Sequence, residues 1–153
     1  MSSRWLRVAL AAAIWTLVYN LAWGAAWFAF MRREWTTAAA AIGKPMPWTP
    51  GVWTAAIVMS LFLGVATMAY ATSQPRAQRK NAAAFGGVGM WILFSLGMAG
   101  WAIPESYSLR VVSLDSAVNL AAILVASLAG VGVLTFALAR RDSTRNSADE
   151  TPD

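Results

Sequence analysis

The stretch VALAAAIWTLVYNLAWGAAWFAFM, residues 8–31, contains no charged side chain and decides the fold class of this chain. A helix that crosses the hydrocarbon core of a bilayer needs about 20 consecutive apolar residues, and this stretch exceeds that length. Arg7 precedes it and Arg32 follows it. Its apolar run is longer than the roughly 7–15 residues of a signal-peptide core, so we expect a retained transmembrane helix.

Three further stretches have the same character and complete a helical membrane domain. They occupy residues 51–73, 82–103 and 111–139, and Asp115 is the single charged residue within them. Because the connections are short, we predict an all-α, polytopic membrane protein with four transmembrane helices in an up-down-up-down bundle. The domain covers residues 1–139, and the polar residues 140–153 form a predicted disordered cytoplasmic tail.

The composition supports a membrane protein and argues against catalysis. Hydrophobic residues make up 58% of the chain and charged residues 12%, and soluble domains carry about 25% charged residues. The chain has no histidine and no cysteine, and we find no paired carboxylates or phosphate-binding glycine loop. We therefore predict that the protein is not an enzyme and has no catalytic residues, no metal site and no cofactor.

The positions of the basic residues predict the orientation in the membrane. The N-terminus, the second loop and the tail carry eight of them, namely Arg4, Arg7, Arg76, Arg79, Lys80, Arg140, Arg141 and Arg145. The opposite side carries four, namely Arg32, Arg33, Lys44 and Arg110. Cytoplasmic loops are enriched in Lys and Arg, so both termini are predicted to be cytoplasmic. The same topological role accounts for the net charge of +5, so we expect lipids rather than nucleic acid as partners.

Aromatic residues are concentrated in and after the first helix. A slanting stripe with four-residue spacing consists of Trp15, Tyr19, Trp23 and Trp27. Others gather near the predicted outer interface, namely Phe28, Trp35, Trp48, Trp53, Trp101 and Tyr107. The favoured interpretation of the second group, together with Trp27, is an aromatic belt at the headgroup level. The alternative is an aromatic-lined pocket for a flat or lipophilic ligand, and the depth of Trp15 and Tyr19 keeps a pocket or a helix interface open.

Polar residues inside the predicted spans are the candidate functional residues. An unpaired amide is costly in hydrocarbon, so Asn20 is expected to form a hydrogen bond to another helix. Asp115 lies one turn before Asn119 on the same face of the last helix. Its position near Arg110 and the helix start favours an interfacial, structural carboxylate. A proton-linked or ligand-linked role is the alternative, because an acid inside a membrane span often marks a functional site.

Small residues predict where helices approach closely. The third span carries Gly86, Gly89, Gly97 and Gly100 on one face. The fourth span carries Ala122, Ala126 and Gly130 at four-residue spacing. Small residues allow helix backbones to pack closely, so we expect these faces to contact each other or a second copy of the protein.

Several segments resemble domain-of-unknown-function family 1761, a group of bacterial membrane proteins. GAAWFAFMRREW, residues 24–35, is similar to its first-helix signature through Gly24, Trp27, Phe28 and Trp35, although the usual proline after the aromatic pair is absent. PESYSLRVVSLDSAVNL, residues 104–120, resembles the entry to its last helix through Leu109, Arg110, Asp115 and Ser116. MSLFLGVATMAYA, residues 59–71, resembles its second helix more loosely. The resemblance covers most of residues 8–135 and implies four helices in a bacterial inner membrane, without a particular activity.

A second resemblance involves the first predicted loop. KPMPWTPGVW, residues 44–53, looks like the Pro/Trp-rich loop of the tryptophan-rich sensory proteins, which bind porphyrins. Those proteins have five helices, whereas four are predicted here.

Two functions follow from these observations. The favoured one is an integral membrane protein that acts by helix packing, as an accessory subunit of a membrane-protein partner or as a homo-oligomer. The alternative is a binder or transporter of a small lipophilic molecule. Its candidate ligand-binding residues are Trp23, Trp27, Asn20, Asn119 and Asp115.

Overall fold

The computed structural model describes the backbone of residues 3–149 and the side chains of residues 4–136. Its principal helices are α1 (Ser3–Ala26), α2 (Arg32–Ala41), α3 (Pro50–Ser73), α4 (Arg79–Ala102) and α5 (Leu109–Asp149). A π-helical segment, Trp27–Met31, joins α1 to α2, and a 3₁₀ turn, Arg76–Gln78, precedes α4. The described residues contain no strand, so the predicted all-α fold is confirmed.

Four helical segments of the described chain are long and apolar enough to cross a membrane. They are Arg4–Ala41, Pro50–Ser73, Arg76–Ala102 and Leu109–Phe136. This is a multi-pass membrane protein. The backbone of α5 is helical as far as Asp149, so it overlaps the first part of the predicted disordered tail. Residues 150–153 of that tail lie outside the described part of the chain.

The first helix is longer than its apolar run predicts. The prediction ended it at residue 31, but the chain stays helical to Ala41. The charged pair Arg32 and Arg33 ends the apolar stretch without ending the helix, because alanine-rich residues with high helix propensity follow. Gly43, with φ of +66°, then lies just beyond α2, where a left-handed residue terminates a helix.

The π-helical segment keeps one face of this long helix directed towards the bundle. Its buried residues recur at four-residue spacing, namely Trp15, Tyr19, Trp23, Trp27, Met31, Trp35 and Ala39. In an ordinary helix of 3.6 residues per turn, each such step turns the side chain about 40° further around the axis. A π-helical turn contains more residues per turn and offsets part of this drift. Trp35 therefore remains on the buried face shared by Trp15.

The helices pack as a ring in which α1 contacts α3 and α5, and α4 contacts the same two helices. Three glycines lie at close contacts between helices. A Cβ added at Gly64 would lie 3.1 Å from the carbonyl oxygen of Ala12, and one at Gly87 would lie 2.8 Å from Oγ of Ser127. One at Gly130 would lie 3.2 Å from the carbonyl oxygen of Ala11. These contacts leave no room for a side chain at the α1–α3, α4–α5 and α1–α5 crossings.

We predicted that the glycine face of α4 packs against another helix. Within the bundle this prediction is wrong for three of its four glycines. Only Gly86 approaches a neighbour, because an added Cβ would lie 3.3 Å from the ring of Tyr70. Positions Gly89, Gly97 and Gly100 have nothing within 4 Å of an added Cβ. On α5 the small residues Ala122 and Ala126 are buried, but Gly130 approaches Ala11 of α1 and Met68 of α3 rather than α4.

Candidate functional site

The carboxylate of Asp115 lies inside the bundle and accepts three side-chain hydrogen bonds. Its Oδ1 accepts from Nε1 of Trp23 at 3.2 Å and from Nδ2 of Asn119 at 2.9 Å. Its Oδ2 accepts from Nε1 of Trp35 at 3.0 Å. The side chain is fully buried. The donors come from α1, α2 and α5, so this carboxylate connects three helices.

The hydrogen bonds continue along the seam between α1 and α5. The hydroxyl of Tyr19 donates to Oδ1 of Asn119 at 2.5 Å, and Nδ2 of Asn119 also donates to the backbone oxygen of Asp115 at 2.9 Å. Further along, Nε1 of Trp15 donates to Oγ of Ser127 at 3.0 Å. The aromatic stripe thus supplies the donors and α5 supplies the acceptors. We call Asp115 with these hydrogen-bonded partners the carboxylate network.

The expected proximity of Asp115 to Arg110 is wrong, whereas its depth in the membrane stays a prediction. Arg110, which was expected near it, forms an ion pair with Glu34 at 3.3 Å instead. Asp115 lies on the opposite side of α5 from Arg110, five residues along, and faces α1. Its acceptors are satisfied by indole and amide N–H groups, which suits a polar side chain that cannot reach water.

Seven aromatic rings form one connected cluster, whereas Trp15 and Tyr19 stack separately with ring centroids 5.3 Å apart. Trp23 and Trp27 stack with ring centroids 5.3 Å apart, and both rings contact Trp48 and Trp53 at 4.9–5.4 Å. Trp35 contacts Tyr107 at 5.2 Å. The belt prediction is therefore wrong for the buried residues Trp27, Trp35 and Tyr107. It stays a prediction for the exposed residues Phe28 and Trp101 and for the half-buried residues Trp48 and Trp53.

An apolar groove of about 810 Å³ lies between α3 and α4. Its walls are Val52, Met59 and Leu63 from α3 and Leu93, Phe94, Gly97, Met98 and Trp101 from α4. Pro47 and Trp48 cover one end. The open side of Gly97, where no neighbour lies within 4 Å, faces into this space. We call it the α3–α4 groove.

A smaller cavity of about 50 Å³ adjoins the groove on its inner side. The two spaces share Trp48, Met59, Leu63 and Phe94 as lining residues. The inner cavity adds polar groups from Tyr19, Asn20 and Ser60. Nδ2 of Asn20 donates to Oγ of Ser60 at 2.9 Å, which confirms the expected hydrogen bond between helices. Asp115 lines neither space.

One ion pair joins two loops at the end of the bundle where Pro47 and Trp48 lie. Nζ of Lys44 forms an ion pair with the carboxylate of Glu105 and donates to the backbone oxygen of Glu105 at 3.3 Å. This contact joins the loop that carries Pro47 and Trp48 to the loop before α5. The cover of the α3–α4 groove is thereby attached to a second loop.

Of the five predicted candidates, the structure brings together three in the carboxylate network and one beside the inner cavity. Trp23, Asn119 and Asp115 meet directly. Asn20 faces α3, and Trp27 belongs to the aromatic cluster. Two hydrogen bonds were not predicted, namely the one that Trp35 donates to Asp115 and the one that Ser127 accepts from Trp15. Trp35 continues the four-residue spacing of the stripe beyond the two arginines, and that spacing was the available signal.

Comparison with protein-family models, with curated proteins and with solved structures finds no match to this chain. In the described part of the chain, no group of three His, Cys, Asp or Glu side chains is placed to hold a metal ion. The resemblances to family 1761 and to the tryptophan-rich sensory proteins stay predictions. The geometry of the groove and of the carboxylate network therefore carries the functional argument.

Proposed function

We propose that this membrane protein binds an elongated lipophilic molecule in the α3–α4 groove. The observation that carries the proposal is the groove itself, about 810 Å³ between two membrane-spanning helices. Small-molecule sites are concave, mostly apolar and about 300–1,000 Å³ in volume, with a few polar groups that orient the ligand. The carboxylate network would serve as a rigid support behind this site.

The polar groups beside the groove indicate how such a molecule would be oriented. Asn20 and Ser60 lie in the inner cavity that adjoins the groove. Nε1 of Trp48, whose side chain lines both spaces, is buried without an acceptor among the described residues. A buried donor normally has a partner. A ligand with an apolar body would fill the groove. An oxygen acceptor on the same ligand, placed near Trp48, would give its Nε1 a hydrogen-bond partner.

Helix packing with a second copy or another membrane protein is the second candidate. It is supported by the open glycines of α4, namely Gly89, Gly97 and Gly100, which have nothing within 4 Å. Small residues on one helix face favour close association in membranes. A helix from a partner would then occupy the space that we assign to a ligand.

The distribution of basic residues supports a more specific location and orientation in the membrane. We propose the bacterial inner membrane, an up-down-up-down arrangement and cytoplasmic termini, supported by the eight-to-four distribution of Lys and Arg. The resemblance to family 1761 supports the same location. The resemblance to the tryptophan-rich sensory proteins supports a ligand near Trp48.

Photolabelling of the purified protein with a diazirine-bearing fatty alcohol tests the proposal. Gly97→Leu places a side chain in the groove, and we expect roughly tenfold weaker labelling of α3 and α4 peptides, which corresponds to about 1.4 kcal/mol of binding free energy. Trp48→Phe keeps an aromatic ring, although a smaller one, and removes the unpaired indole N–H donor, so it should weaken labelling by a smaller factor. Gly132→Leu is the matched control, because Gly132 also has open space but does not line the groove.

Two results would contradict ligand binding in the groove. The first is equal labelling of the Gly97→Leu and Gly132→Leu variants. The second is labelling of the native protein that does not saturate, combined with a native protein that is a dimer. In that case Gly97→Leu would dissociate the dimer and Gly132→Leu would not. That second result would establish helix packing instead.

A further inference from the structure

A second cavity, of about 320 Å³, lies at the end of the bundle where α3 ends and α4 begins. Its lining residues are Arg4 and Arg7 of α1, Thr72 and Ser73 of α3, Arg79 of α4 and Leu134 of α5. Residues from four helices therefore surround it. We call it the basic cavity. It is separate from the α3–α4 groove, with which it shares no lining residue.

The described side chains that line the basic cavity carry only positive charge. Three guanidinium groups line it, and none of its described lining residues carries a carboxylate. Bringing like charges together beside a low-dielectric membrane is unfavourable, and the binding of an anion offsets that cost. Arginine is suited to this task because its planar fork donates two hydrogen bonds to a phosphate.

The described hydrogen bonds leave Arg4 and the terminal nitrogens of Arg79 as donors at the cavity, because the two hydroxyl groups that line it already donate elsewhere. The hydroxyl of Thr72 donates to the backbone oxygen of Ala69 at 2.8 Å, and that of Ser73 donates to Tyr70 at 2.7 Å. Nε of Arg79 donates to the backbone oxygen of Gln74 at 3.3 Å, which holds this side chain at the cavity while its terminal nitrogens stay available. Recognition at this site would therefore depend on arginine.

We infer that the basic cavity binds a phosphate group, and that the phosphate belongs to the headgroup of an anionic phospholipid. The cavity lies at the ends of membrane-spanning segments, where headgroups are found, and Leu134 provides an apolar wall beside the charges. Basic pockets between transmembrane helices are a recognised form of anionic headgroup site. The inference is independent of the ligand that we propose for the α3–α4 groove.

The test measures lipid binding to the full chain by native mass spectrometry in a neutral detergent. Short-chain phosphatidylglycerol is titrated against the native protein, and phosphatidylcholine with the same acyl chains is the neutral comparison. Phosphatidylglycerol should bind at least about tenfold more tightly, as expected for a charge-assisted contact. Arg79→Gln should raise the dissociation constant for phosphatidylglycerol about tenfold.

Two further variants separate the cavity from general positive charge. Arg4 has no hydrogen bond or ion pair with any other described residue, so Arg4→Gln removes a charge from the cavity without breaking a contact. It should also weaken phosphatidylglycerol binding. Lys80→Gln removes an exposed charge next to Arg79 that does not line the cavity, and it should change binding less than about twofold.

The outcomes distinguish the source of the phosphate. Equal affinity for the two lipids, or equal effects of Arg4→Gln and Lys80→Gln, would overturn the site. Inorganic phosphate at millimolar concentration is added in a parallel titration. Failure of phosphate to displace the lipid supports a headgroup site. Displacement of the lipid, with the same dependence on Arg79, would overturn the lipid assignment and identify a site for soluble phosphate.

Discussion

Replacing Asp115 by asparagine tests the carboxylate network most directly. The native side chain accepts on both oxygens, from Trp23 and Asn119 on one and from Trp35 on the other. An asparagine has one acceptor oxygen, and its NH₂ group is a donor. If the oxygen keeps the position of Oδ1, the amide nitrogen faces the indole N–H of Trp35, which lies 3.0 Å from Oδ2 in the native protein. Two donors then oppose each other in a fully buried site.

The expected cost follows from the bonds that are lost. Hydrogen bonds to charged groups contribute about 1.5–3 kcal/mol each, and a buried donor left without a partner costs about 1–3 kcal/mol. Relief of the buried charge offsets part of this sum. We therefore expect Asp115→Asn to lower the free energy of unfolding by about 2–4 kcal/mol, and the midpoint of thermal unfolding by roughly 5–15 °C.

A double-mutant cycle isolates the clash between donors. Trp35→Phe removes the indole N–H, so Asp115→Asn should cost less in that background than in the native protein, by about 1 kcal/mol or more. Unfolding in detergent is followed by near-UV circular dichroism, which reports the packed indoles. A cycle in which the two substitutions are additive within about 0.5 kcal/mol would refute the assignment of Trp35 as a donor to Asp115.

Two further predictions concern packing and topology. Gly87→Ala should destabilise the bundle by about 1–3 kcal/mol, because its Cβ would lie 2.8 Å from Oγ of Ser127. Gly89→Ala, in open space on the same helix, should be neutral or stabilise by up to about 1 kcal/mol; equal thermal unfolding of the two variants would contradict the α4–α5 contact. For topology, single cysteines replacing Ser3, Thr37 and Ser147 encounter no background thiol. An impermeant thiol reagent should label only position 37 in intact cells, and labelling at position 3 or 147 would show the opposite orientation.

The four membrane-spanning helices could be predicted from the sequence alone because their determinant is local. Each is an apolar stretch long enough to span the hydrocarbon, with Asp115 of the fourth as the single charged residue, and backbone polar groups in lipid must be satisfied within the helix. The need of Asn20 for a partner on another helix was predictable for the same reason. The end of the first helix was not, since Arg32 and Arg33 end an apolar run but do not end a helix.

The tertiary structure alone decided what the polar and small residues contact. Asp115 is 80 residues from Trp35 and 92 from Trp23, and no pattern within a segment shows that these groups meet. The four-residue stripe determined that one face of α1 is aromatic, but a belt, a pocket and an internal cluster share that pattern. Likewise, Gly87 and Gly89 are equivalent as sequence signals. Only the position of α5 makes the first a close contact and leaves the second open, because helix approach depends on the side chains of both partners.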